Sequence, residues 1–169
     1  MSTEGRQVNK SAIRNFAIEA RNILIKSAVT EAGFYGITKE EIKSPIQKGR
    51  DFEVYETLTG TEKRIFDSDV KRRAALVEAI RQKGFDEVME ETAYTWFNRL
   101  IAARFMEVND YLPSHIRVLS SENEGKLEPD FVTNPFDTDL EFSAYERDLV
   151  FQLKDDNKLD ELFRLLFTS

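Results

Sequence analysis

Apolar residues recur at helical spacing along most of this chain, and glycines and prolines mark where the pattern stops. Ile13, Phe16, Ala17, Ala20, Ile23, Leu24 and Ala28 follow the i, i+3, i+4, i+7 rule, with Asn9 or Ser11 placed to cap the helix they predict. Gly33 and Gly36 break that run. Thr38-Lys39-Glu40-Glu41 has the form of a capping box and predicts a short helical turn closed by Pro45. Over residues 46–66 the period changes. Phe52 and Val54 alternate with polar neighbours, Thr59-Gly60-Thr61 reads as a turn, and Ile65-Phe66 reads as a return strand. One small β-hairpin near 51–66 accounts for this stretch.

Helical spacing resumes at about Ser68 with Val70, Ala74, Leu76, Val77 and Ile80, and Gly84 is placed as its C-terminal stop. The next helix runs from about Phe85 to Asn109. Phe85, Val88, Met89, Thr92, Ala93, Trp96, Leu100 and Ala103 form one stripe on it; Phe97, Ile101, Phe105 and Val108 form a second. Two apolar stripes predict contact on most sides, and so a central helix. Pro113 ends it, and residues 114–138 read as an irregular connection. Leu140–Leu153 and Lys158–Phe167 predict two further helices, parted by Asp155-Asp156-Asn157. The expected fold is therefore mainly α: a multi-helix bundle around a central buried helix (about 85–109), with the hairpin beside it. Residues 1–8 are polar and read as a disordered or tag-like N-terminus, leaving 9–169 as one helical domain. The last helix places Leu159, Leu162, Phe163, Leu165, Leu166 and Phe167 next to the chain end. Apolar ends need a cover, so a chain cut from a larger protein is expected.

Charge sharpens this picture. Residues 1–110 hold 18 Lys and Arg against 18 Asp and Glu, whereas residues 111–169 hold 6 against 13, which accounts for the whole net charge of −7. The acidic part argues against phosphate binding there and suits solvated helix faces or a basic partner surface. The chain has no cysteine, which excludes disulfides, thiol catalysis and cysteine-bound zinc, and His115 is its single histidine. No apolar run approaches membrane-spanning length.

Four features bear on chemistry. Asn98, Arg99, Arg104 and Glu107 place polar and charged groups on the helix expected to be central. No nucleophile, metal-ligand set or general base completes a catalytic constellation, so a buried polar network that sets helix register is the better reading. Arg104 and Glu107 are three apart and able to pair, and removing Arg104 alone is then expected to destabilise by roughly 3–5 kcal/mol. Lys71, Arg72 and Arg73 form the one concentrated basic patch, either a solvated helix face or candidate DNA or partner contacts. Asn134-Pro135-Phe136 invites comparison with the Asn-Pro-Pro-Tyr loop of amino-group DNA methyltransferases, but the second proline is missing and a turn explains it. The seven glycines are scattered, with no Gly-x-Gly after a strand, so no catalytic, cofactor-binding or metal residue is assigned.

Asn9-Lys10-Ser11-Ala12-Ile13-Arg14-Asn15-Phe16-Ala17, Ala32-Gly33-Phe34-Tyr35-Gly36-Ile37-Thr38 and Ala93-Tyr94-Thr95-Trp96-Phe97-Asn98-Arg99-Leu100 carry a resemblance. It continues through Arg104-Phe105-Met106-Glu107-Val108-Asn109, Tyr111-Leu112-Pro113-Ser114 and Arg117-Val118-Leu119-Ser120-Ser121. These stretches resemble the N-terminal helical region of the large adenine-specific DNA methyltransferases of BREX phage-defence systems, the PglX family. The resemblance implies a bacterial, cytoplasmic parent that transfers a methyl group from S-adenosylmethionine to adenine N6. It implies that the cofactor and catalytic motifs lie elsewhere in the parent, so that this chain is inert alone and binds no cofactor. Implied partners are the parent's own catalytic domain, DNA in the full-length context and other BREX components, with no membrane. Two other readings stay open. One is a stand-alone interaction or regulatory subunit using an exposed C-terminal helix; the other is an autonomous DNA-binding module using Lys71, Arg72 and Arg73.

Overall fold

A computed structural model describes residues 9–168, so the tail expected at 1–8 lies outside the described residues, and these form two compact units divided between Asn98 and Arg99. It is mainly α with one small antiparallel sheet. Among the described residues, no helix is long and apolar enough to cross a membrane.

In the first unit, α1 spans Lys10–Phe34 and is capped by Asn9, whose Oδ1 accepts from the Ala12 N–H at 3.0 Å. Such a cap satisfies one of the orphan donors at a helix start. Gly36 follows in the left-handed region (φ +68°), where a Cβ would lie 3.0 Å from the Glu56 carbonyl, so the chain reverses here without a side chain. Ile37 is fully buried and forms an antiparallel bridge with Ile42. The helical turn predicted at Thr38–Glu41 is absent. Thr38 Oγ1 does accept from the Glu41 N–H (3.1 Å), but the Thr38 N–H donates back to the Glu41 carbonyl (2.8 Å), closing a tight reverse turn. The same side-chain bond serves a turn or a helix start, and burial of Ile37 selects the turn.

Strands β1 (Gln47–Lys48), β2 (Phe52–Glu56) and β3 (Glu62–Phe66) follow in the order β1-β2-β3, all antiparallel. Phe52 pairs with Phe66 and Val54 with Arg64, so the expected hairpin is present, with a short third strand on its edge. Helix α2 (Asp67–Lys83) starts directly from β3 and stops at Gly84 (φ +95°), whose N–H reaches the Ile80 carbonyl at 2.8 Å. Helix α3 spans Phe85–Val108. Ala32, Ile37, Val77, Ile80, Val88 and Met89 make the core of this unit. Within it α3 runs antiparallel to α1, with Phe16 and Phe97 6.5 Å apart and Arg21 bridging Glu90 at 2.9 Å.

Helix α3 lies where the pattern places it, yet it is less enclosed than two stripes predict. Val88, Met89, Ala93 and Ala103, all from the first stripe, are buried. Ile101, Phe105 and Val108 of the second stripe are exposed, and so is Tyr94. A periodic pattern reports which faces are apolar; it does not report whether a neighbour in the same chain covers each one.

The second unit is built from α4 (Asp130–Thr133), a 3-10 turn over Pro135–Asp137, α5 (Ala144–Asp155) and α6 (Leu159–Thr168). Phe131, Val132, Val150, Leu153, Leu162 and Leu166 form its core. The apolar end of α6 is thus covered by α4 and α5, which corrects the expectation of an exposed C-terminal face. Asn157 (φ +56°) makes the break between α5 and α6. Ser143 and Glu146 form a full capping box at the start of α5, four residues after the predicted start at Leu140. Ser143→Ala is expected to destabilise the protein by about 1 kcal/mol, read as a lower urea midpoint.

Candidate functional site

The second unit builds its most elaborate polar site around Glu107, on the last turn of α3. Its side chain is 1 % exposed, whereas that of its partner Arg104 is 50 % exposed. The Glu107 carboxylate accepts from the Leu119 N–H (2.6 Å), from Ser120 Oγ (2.6 Å) and from the Arg104 guanidinium. Arg104 also donates to Ser120 Oγ at 3.2 Å. Burial pushes the Glu107 carboxyl up, but the bonds from Ser120, the Leu119 amide and Arg104, together with the Arg104 charge, outweigh it and hold the group below its ordinary value.

A second buried carboxylate works on the same loop. Asp130 accepts from Ser121 Oγ (2.7 Å) and from the Glu122 N–H (2.8 Å). At the start of α4, the Asp130 and Phe131 N–H groups donate to the carbonyls of Ser120 and Arg117, both at 3.0 Å. Those N–H groups would otherwise be orphan donors. Residues 117–122 are therefore clamped between the end of α3 and the start of α4. Asn98 and Arg99 lie upstream on exposed positions of α3, and the hydrogen bonds to Glu107 come from elsewhere. Leu119, Ser120 and Asp130 escape a reading by periodicity because they meet their partners across a loop.

In the first unit the basic patch separates into two roles. Lys71 pairs with Asp67 (3.3 Å) and Arg72 with Asp69 (3.4 Å), and both cations remain exposed. The two aspartates sit in the first turn of α2, where they offset the unfavourable placement of cations near a helix N-terminus. Arg73 turns inward. Its Nε donates to the Tyr35 carbonyl (2.8 Å), a terminal NH2 donates to the Lys43 carbonyl (2.7 Å), and the guanidinium lies 3.7 Å from the Tyr55 ring centre. Burial lowers its pKa. Arg73 thus ties the end of α1 and the following loop to the sheet, a structural role in place of the surface contact considered from sequence. The Tyr55 hydroxyl donates to Glu53, and burial followed by that carboxylate raises the Tyr55 pKa to about 12.

Asn134-Pro135-Phe136 leads from α4 into the 3-10 turn with Pro135 buried, the local turn its sequence suggests. Among the described residues, no group of three or more His, Cys, Asp or Glu is placed to hold a metal ion.

No family model matches the chain. Among curated proteins, it is 35 % identical over 176 aligned positions to the adenine-specific methyltransferase PglX of Lacticaseibacillus casei (strain Zhang). That alignment takes in 96 % of this chain and 14 % of the relative. The adenine-specific methyltransferase BrxX of Escherichia coli O9:H4 (strain HS) is 34 % identical over 116 positions, covering 67 % of this chain and 9 % of the relative. The chain therefore matches the adenine-specific methyltransferases PglX and BrxX, over most of its own length and a small part of theirs.

Proposed function

We propose that this chain is the N-terminal helical domain of a site-specific adenine-N6 DNA methyltransferase in a BREX phage-defence system. It docks against the catalytic domain of its parent in the bacterial cytoplasm and helps to enclose DNA, and it has no catalytic activity alone. The observation that carries this reading is the match to PglX over 96 % of the chain. The residues present do not fit S-adenosylmethionine. The sheet is antiparallel, and among the described residues no glycine-rich turn joins a parallel strand to a helix, the arrangement that lets a backbone approach such a cofactor. The cofactor and the methyl-transfer step accordingly belong to the rest of the parent.

The exposed apolar stripes suit docking. Ile13, Phe16 and Ile23 on α1, and Tyr94, Ile101, Phe105 and Val108 on α3, present apolar side chains to solvent. The reading as a stand-alone interaction subunit drew on an exposed C-terminal helix, and α6 instead buries Leu162 and Leu166. For DNA contact, Lys71 and Arg72 are the exposed cations of the basic run at the start of α2, while Arg73 is committed to carbonyl groups.

Grafting this chain in place of the matching segment of the Lacticaseibacillus casei PglX, in cells carrying the rest of that system, tests the role. Adenine methylation, read by long-read sequencing, is expected to persist in the graft and to disappear when the segment is deleted. The isolated chain is expected to take up no S-adenosylmethionine in titration calorimetry; uptake there would overturn the non-catalytic assignment.

A further inference from the structure

The 3-10 turn and α5 assemble an aromatic patch that neither the core nor the proposed methyltransferase role uses. Pro135 is buried and anchors the turn, while Phe136 beside it is 36 % exposed. The Phe136 ring centre lies 4.9 Å from that of Phe151 and 5.7 Å from that of Phe142. Phe151 is 54 % exposed, and Phe142 packs on the core, so the patch is mounted on a fixed base. Single exposed apolar residues need no explanation, but grouped aromatic rings rimmed by polar residues mark interaction surfaces.

The rim is acidic. Asp137 follows Phe136 and Glu141 precedes Phe142, while Asp148 and Asp155 stand at i−3 and i+4 from Phe151 on α5. All four are exposed, and none has an ion-pair partner among the described residues. The stretch 111–169 carries 13 acidic side chains against 6 basic ones. A field of that sign repels nucleic acid and anionic lipid and attracts cationic protein. Arg147 shows the local preference: its guanidinium lies 5.8 Å from the Phe136 ring centre, within reach of the ring's negative face.

We propose that the Phe136–Phe142–Phe151 patch docks a cationic protein segment, one that sets an apolar side chain on the rings and Lys or Arg against the surrounding carboxylates. This inference stands on the patch and not on the parent enzyme. The segment's apolar anchor would cover Phe151, and its cations would neutralise Asp148 and Asp155.

The test uses the 169-residue chain and two labelled helical peptides of equal length, one of Leu and Lys and one of Leu and Glu, followed by fluorescence anisotropy at low salt. The Leu/Lys peptide is expected to bind and the Leu/Glu peptide not to bind. Phe151→Ser is expected to weaken binding about tenfold or more, as for an aromatic anchor, and Asp148→Asn with Asp155→Asn to weaken it severalfold. Glu124→Gln with Glu128→Gln, on the loop before α4, is expected to leave binding nearly unchanged. Phe151 is more than half exposed, so its variant is expected to keep its circular dichroism melt, which separates loss of binding from loss of fold. Equal binding of both peptides would show that the surrounding carboxylates do not select the segment, and equal weakening by the loop and rim charge variants would show attraction to acidic surface in general; either would overturn the proposal. So would full binding by Phe151→Ser.

Discussion

Glu107→Ala is expected to destabilise the protein by about 3 kcal/mol, whereas Arg104→Met is expected to cost about 1 kcal/mol or less. Sequence alone assigns roughly 3–5 kcal/mol to the loss of Arg104, read as one partner of a buried pair. The structure buries one partner and not the other: the Glu107 side chain is 1 % exposed, and its arginine reaches half into solvent. Without the carboxylate, the Leu119 N–H and the Ser120 hydroxyl lose their acceptor inside the fold, and the clamp on residues 117–122 opens at one end. Without Arg104, the two other donors still hold Glu107. Urea unfolding of both variants and of the double variant measures this, and a loss at Arg104→Met equal to that at Glu107→Ala would sink the assignment. Fully additive losses would exclude pairing between the two residues.

The same site has a pH signature. The folded-state pKa of Glu107 is lowered from the ordinary value of 4.5. Its stabilising contribution is therefore complete above that value and is lost as pH falls through the folded-state pKa. Glu107→Gln is expected to flatten the acid limb of a stability-against-pH curve in that window. Some acid sensitivity remains in the variant, because Glu53 is also held low by Tyr55 and Lys48, and Glu146 by Ser143.

Arg73→Met is expected to cost about 3 kcal/mol, since it removes two charge-assisted hydrogen bonds to carbonyl groups and a cation–ring contact. Arg73→Lys is expected to recover little, because an ammonium cannot bridge two carbonyls and lie flat on a ring as a planar guanidinium does. Lys71→Ala and Arg72→Ala, cations of the same run but on the solvent side, are expected to stay within about 0.5 kcal/mol of the parent chain. Denaturant midpoints for the four variants settle the contrast. Equal stability of Arg73→Lys and the parent would mean that the two carbonyls do not depend on the guanidinium.

What could be read directly from the residues is local. The Asn9 cap, the Gly84 stop, the hairpin around Thr59-Gly60-Thr61 and the extent of α3 all follow from interactions within a few positions of one another. Backbone preference and hydrogen-bond geometry at that range leave little choice. The long polar-apolar block on α3 also carried the resemblance to the adenine-specific methyltransferases, which the match to PglX and BrxX supports.

What depended on the path of the chain is who covers and pairs with whom. The Thr38 motif is equally good as a helix start or a turn, and the burial of Ile37 chose the turn. The three cations Lys71, Arg72 and Arg73 look alike in sequence, yet one of them faces two carbonyls brought in from α1 and the following loop. Glu107 and Arg104 are interchangeable as a pair until the loop at 117–122 folds back and buries one of them. The apolar end of α6 resembles an unfinished surface until α4 and α5 close over it. Periodicity states which side chains need to leave water or find a partner; the partner itself is supplied by residues distant in sequence, and only their arrangement in space determines the match.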